Sequence, residues 1–138
     1  MAHRLVTGMA LVLLLFGSGS LGVTADMPAS IREKTYNNVP YLSGGVGEEE
    51  IDLLRQVGGA YNVKLIFAAT AGNYLSNVHI LIEDSQGTKV LEAVSEGPWF
   101  YTKLSPGTYN VRAQAEGQTR QQRAQISQQK RTQLQFYW

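Results

Sequence analysis

The chain has 138 residues, with 12 basic and 11 acidic side chains, a net charge of +1 and no cysteine. That length holds one ordinary domain and not two. Near-neutrality speaks against a general nucleic-acid binder, and a chain without cysteine has no disulfides, no thiolate chemistry and no residue to carry a lipoprotein lipid.

At the N-terminus, His3 and Arg4 form a short positive segment, Met9 to Phe16 an apolar run, and small residues lead to Val23-Thr24-Ala25. This order predicts a signal peptide over residues 1–25, cleaved after Ala25, and a periplasmic destination. A membrane anchor would need roughly 20 apolar residues. Gly17 to Ser20 interrupt the run too early for that, so no stable membrane span is expected after cleavage.

Residues 26–59 read as an N-terminal extension. Asp26 to Pro40, with Pro28, Asn37, Asn38 and Pro40, is expected to be extended or partly disordered. In the next stretch, Tyr41 to Gly59, Ile51, Leu54 and Val57 recur at three-residue spacing with Leu53 beside them. They form the apolar stripe of a helix of about ten residues. Glu48, Glu49 and Glu50 suit the positive end of its dipole, and Gly58-Gly59 end it. So short a helix has to dock on something.

From Ala60 the hydrophobic period changes to two. Val63, Leu65 and Phe67 share a face; Val78, Ile80 and Ile82 share another; Tyr109, Val111 and Ala113 a third; Leu134, Phe136 and Trp138 a fourth. Turns at Asp84 to Gly87, Glu96 to Pro98, Ser105 to Gly107 and Glu116 to Gln118 divide the run. Short strands separated by such turns predict an all-β domain over 60–138, an antiparallel β-sandwich of about seven strands. Within it, Leu104, Pro106, Gly107 and Tyr109 make a corner. Pro106-Gly107 is expected to form a type II turn with Gly107 at positive φ, and Tyr109 to return its hydroxyl to the backbone as a tyrosine corner.

The pattern from Val78 through Asp84-Ser85 and Gly87, then Leu104, Pro106, Gly107, Tyr109, Val111 and Ala113, resembles the carboxypeptidase regulatory-like domains. The likeness covers residues from about 60 to 127. With the leader Pro40, Tyr41, Ser43, Gly44, Gly45, Gly47 and Glu50, the chain also resembles small proteobacterial periplasmic proteins that join such a leader to this domain. The resemblance implies a prealbumin-like (or Ig-like) sandwich serving as an accessory module in an exported protein. It brings no catalytic residues.

The residues themselves offer little catalysis. Ser43-Gly44-Gly45-Val46-Gly47 enters a helix as a phosphate loop does, yet lacks the Lys-Ser/Thr pair and carries three glutamates that would repel an anion. His79 is the one histidine beyond residue 25, so neither a zinc site nor a serine-hydrolase base is supported, and no cofactor or metal is expected. An unrecognised hydrolase pairing His79 with Glu83 is a residual alternative. A small outer-membrane β-barrel is another, because the last strand alternates and ends in an aromatic.

Trp99, Phe100 and Tyr101 in succession cannot all face one core, so at least one points outward or packs beneath a covering element. The expected contact surface joins Trp99 and Tyr101 to Tyr41, Ser43, Gly44, Gly45 and Gly47. A protein, peptide or envelope glycan is the expected partner. Nine glutamines between Gln114 and Gln135 are expected to line strand faces, with a sheet edge open to another chain as one use. The excess of bases over acids in residues 101–138, six to one, is expected to be taken up by internal pairing.

Overall fold

The computed structural model describes residues 31–138, so the expected signal peptide and its cleavage site lie outside the described residues. Nine strands form two sheets. They are β1 (Lys34–Tyr36), β2 (Val39–Gly44), β3 (Val63–Ala68), β4 (His79–Asp84), β5 (Lys89–Val94), β6 (Trp99–Thr102), β7 (Gly107–Ala115), β8 (Gln118–Ile126) and β9 (Thr132–Tyr137). One helix, α1 (Gly47–Val57), stands between β2 and β3 and ends in a single 3-10 turn, Gly58–Ala60.

The five-stranded sheet runs β1-β2-β6-β3-β9 and the four-stranded sheet β5-β4-β7-β8. Their inner faces share one core, with Val63, Leu65, Phe67, Phe100 and Phe136 from the first packed against Ile80, Ile82, Leu91, Val111, Ala113 and Ile126 from the second. Apart from β6, which is buried on both faces, these strands bury alternate residues, which is why a period of two was visible in the sequence.

Two expectations are corrected. The seven strands expected after Ala60 are all present, but β1 and β2 add two more from the segment expected to be extended or partly disordered. Asn37 and Asn38 both take positive φ, 46° and 65°, and close a two-residue hairpin between Tyr36 and Val39. The sheets are also not wholly antiparallel. The last strand, β9, lies parallel to β3, from Val63 opposite Thr132 to Ala68 opposite Tyr137.

A second, smaller core lies outside the five-stranded sheet. Helix α1 presses Leu54, with Leu53 and Val57, onto Leu42, Tyr101 and Ile31. Fully burying a leucine is worth about 1.5–3 kcal/mol, which supplies the docking energy that an 11-residue helix lacks alone.

At the corner, the Tyr109 hydroxyl donates to the Ser105 carbonyl at 2.7 Å, and Leu104 and Tyr109 are buried. The tyrosine corner is therefore present, but the type II turn is not. Gly107 is absent from the residues with positive φ and begins β7, opposite Ile126, in strand pairing.

Candidate functional site

The register between β2 and β6 sets the leader beside the aromatic strand: Leu42 opposite Tyr101, Ser43 opposite Phe100, Gly44 opposite Trp99. Their faces then separate. Tyr41 packs toward the main core and stacks on Phe100, ring centroids 5.3 Å apart and 20° from parallel. Ser43 is buried and its hydroxyl accepts the Glu96 N–H at 3.0 Å. Gly44 lies under the helix, where an added Cβ would meet Glu50, Ile31 and Leu54. Gly45, at φ +98°, turns the chain against the Trp99 ring, and Gly47, at +82°, opens the helix in free space.

The amide loop that invites a phosphate reading already has an acceptor. The N–H groups of Gly45 and Val46 both donate to the Glu50 carboxylate, at 3.1 and 3.0 Å. A side chain of the first helical turn thus closes its own loop, much as a capping box does.

Tyr101 retains only 1 % exposure. It pairs with Leu42 directly beneath α1, so the expected use of Tyr101 as a contact residue is corrected: the helix covers it. Trp99, one pair further along, is half-buried, with Tyr101 edge-on at 6.5 Å. The Lys64 ammonium sits 3.6 Å above the Trp99 ring, and the Arg55 guanidinium lies 5.8 Å from it. Burial holds the Lys64 ammonium below the ordinary lysine pKa, and the charges of Arg131 and Arg55 push the same way.

Helix α1 covers only part of this outer face. Residues paired across strands point to the same side. Lys64 opposite Gln133, Ile66 opposite Gln135 and Ala68 opposite Tyr137 therefore form three successive outward rows of β3 and β9. Ala68 also bridges Tyr74, from the loop after β3. Tyr74 and Tyr137 are 69 % and 50 % exposed. The result is an outer surface with two open tyrosine rings, a half-buried isoleucine and two glutamines. Tyr137 was legible as outward from the alternation of its strand. Tyr74 was not, because its loop has no period and is placed by a single bridge to Ala68.

At the end of β3 and β9 away from the tyrosines, a cleft of about 500 Å³ is bordered by Lys103, Lys130 and Arg131 with Asn62 and Gln128. No carboxylate lines it. Arg131 donates to the carbonyls of Gly58 and Tyr61 and lies 5.6 Å from the Tyr101 ring. The internal pairing expected for the basic C-terminal segment holds for Arg112, which reaches Glu83 at 3.6 Å, and for no other base after residue 100 among the described residues.

The glutamines act chiefly within the chain. Gln122 donates to the Gln135 carbonyl at 2.5 Å and the Arg120 guanidinium to the Tyr137 carbonyl at 2.9 Å, so β8 side chains occupy the open edge of β9. The expectation of an edge left for another chain is corrected at this strand.

The residual catalytic pair is not brought together. His79 meets Glu92 at 3.1 Å on the neighbouring strand, whereas Glu83 stands four residues further along β4 and pairs with Arg112. Four residues of strand span about 13 Å. The Asp84 carboxylate accepts the N–H groups of Gln86 and Thr88, both at 2.9 Å, and so serves a turn. Among the described residues, no group of three or more His, Asp or Glu side chains is gathered closely enough to hold a metal ion.

No helix among the described residues is long and apolar enough to cross a membrane. No protein-family model matches the sequence, and a search of curated proteins finds no match.

Proposed function

We propose that this chain is an exported, non-enzymatic binding or accessory module, whose open outer face on the five-stranded sheet takes a glycan of the cell envelope. The carrying observation is the row Tyr74–Ala68–Tyr137, two exposed tyrosines flanking a small residue on the outer face of the sheet. Aromatic faces pack well against the C–H faces of sugar rings, and their hydroxyls keep one end wet. Gln133, in an adjoining row, offers an amide donor and acceptor that match sugar hydroxyls, while the Gln135 amide oxygen accepts the Tyr137 hydroxyl at 2.6 Å and leaves its NH2 as a donor.

The prealbumin-like, carboxypeptidase regulatory-like reading belongs to the same proposal. Its support is the tyrosine corner at Leu104 to Tyr109 and two packed sheets with a shared apolar core. Lys64, Gln133, Arg112 and Gln121 on the outer sides favour a sandwich in water over a lipid-facing barrel, which would turn its apolar side outward. Release of the protein in soluble form by osmotic shock is the expected outcome for the exported module.

Co-sedimentation of the purified protein with isolated envelope glycan tests the surface. The Tyr74→Ala/Tyr137→Ala double variant is expected to lose at least about tenfold in affinity, as two truncated aromatic contacts of about 1 kcal/mol each would give. Both residues are exposed, so its melting temperature should stay within a few degrees of the parent. Unchanged sedimentation of a folded double variant contradicts the assignment, as does crosslinking that places a protein partner on this face instead.

A further inference from the structure

We infer that the ligand of this face is an acidic saccharide, with its anionic groups seated in the cleft bordered by Lys103, Lys130 and Arg131. This rests on the glycan reading above and adds the chemical class. The outward residues before and along β9 run Arg131, Gln133, Gln135, Tyr137, so cation, amides and aromatic ring follow one another along a single strand. The parallel partner β3 sets a second cation, Lys64, opposite Gln133, and the apolar Ile66 and Ala68 opposite Gln135 and Tyr137. From Arg131 to Tyr137 the strand covers about 20 Å, the span of a short oligosaccharide rather than a single sugar.

Charge balance carries the argument. Beyond residue 25 the chain is neutral, with eleven bases and eleven acids, so composition does not force a basic surface anywhere. Yet Lys103 from the end of β6 and Lys130-Arg131 from the β8–β9 turn converge on one concavity. Among the described residues none of the three meets a carboxylate within salt-bridge distance, and two further cations, Lys64 and Arg55, gather at the Trp99 ring, where the charge of Arg131 also acts on Lys64. Gathering like charges without counter-charge costs energy that a bound anion recovers. Arg131 is held by the Gly58 and Tyr61 carbonyls, so one cation of the cleft is fixed before any ligand arrives. An acidic sugar supplies both matching parts: carboxylate or phosphate for the cleft, and ring faces and hydroxyls for the tyrosines and glutamines.

The test is calorimetric titration of the purified protein with oligogalacturonate, with glucose 1-phosphate, and with a neutral dextran oligosaccharide of matched length. Polyglutamate and phosphatidylglycerol vesicles complete the set. Binding of oligogalacturonate or glucose 1-phosphate, weakening as salt is raised from about 0.05 to 0.5 M, supports the inference, and the two probes distinguish a carboxylate from a phosphate source. Lys103→Gln/Lys130→Gln is expected to weaken that binding by about tenfold, two exposed ion pairs' worth, with an unaltered melting temperature. Dextran binding as tight as oligogalacturonate, with the lysine variant unaffected, overturns the acidic class and leaves the glycan reading standing. Equal affinity for polyglutamate, or preference for the vesicles, overturns the saccharide class in favour of a peptide or a lipid surface. Failure of every saccharide, charged or neutral, defeats the glycan reading itself.

Discussion

Tyr109 fills core volume with its ring and satisfies the Ser105 carbonyl with its hydroxyl, so the two contributions separate by substitution. Tyr109→Phe removes one hydrogen bond and should cost about 1 kcal/mol; Tyr109→Ala also removes the buried ring and should cost about 3–5 kcal/mol. Urea unfolding of the two variants checks the order, and equal costs would mean that the ring is not a core element. A pair of glycines makes a second contrast. An added Cβ at Gly97 would stand 2.2 Å from the Gly44 carbonyl oxygen, whereas at Gly107 it would rest 3.6 Å from the Tyr109 ring, an ordinary contact. Gly97→Ala is therefore expected to lose about 2–3 kcal/mol by forcing the end of β2 away from the turn that leads into β6. Gly107→Ala, in strand geometry without positive φ, should stay within about 1 kcal/mol of the parent. The sequence shows a Gly-Pro turn at Gly97 but not the carbonyl that presses on it, since that contact crosses more than fifty residues. Conversely, the Pro-Gly pair suggested a positive φ that strand pairing at Gly107 replaces.

The elements with a clean period were legible, and those whose faces are set by distant partners were not. Apart from β6, which is buried on both faces, the strands from β3 to β9 bury alternate residues against one core, so their apolar period appears in the chain. β2 is covered on both faces, Leu42 by the helix and Ser43 by the interior, so its burial does not alternate, and Pro40 sits near its start. Pro lacks the ladder donor and argues against a strand; here its carbonyl is used instead, accepting from the Thr102 hydroxyl at 2.9 Å. Helix α1 was readable from its stripe, but its resting place over Tyr101 and Gly44 was not, and that hides these two residues of the expected contact surface. Leu54→Ala should cost about 2–5 kcal/mol by opening the second core. Hydrogen exchange across residues 47–57 should speed up in that variant while β7 stays protected. Unchanged exchange in α1 would show that the helix is held by something other than this contact.

At the level of the whole molecule, three tyrosines tie stability to alkaline pH. Burial raises the phenol of Tyr61, with further support from its hydrogen bond to Glu33 and that carboxylate's charge. Burial likewise raises Tyr101, partly offset by Arg131 and Arg55, and raises Tyr109 with help from Asp84. Each folded-state pKa lies above the unfolded value of about 10, so the folded state holds these protons more tightly. The stability they contribute is complete below about pH 10 and is lost as pH rises through the folded values. Melting temperature should therefore fall above about pH 10, with tyrosinate absorbance appearing together with unfolding. Tyr61→Phe should flatten the fall; a melt independent of pH in that range would contradict it.

The two sheets divide the labour of the molecule. The four-stranded sheet presents an outer side on which His79 pairs with Glu92 and Glu83 with Arg112. The five-stranded sheet presents the helix, the basic cleft and the open tyrosines. Backbone amide shifts followed during titration of the labelled protein with oligogalacturonate test that division most directly. The account predicts the largest shifts at Lys64, Ile66, Ala68, Tyr74, Gln135 and Tyr137, saturating together with those of Lys130 and Arg131. Saturating shifts confined to Leu81, Arg112 and Gln121 on the four-stranded sheet would contradict it.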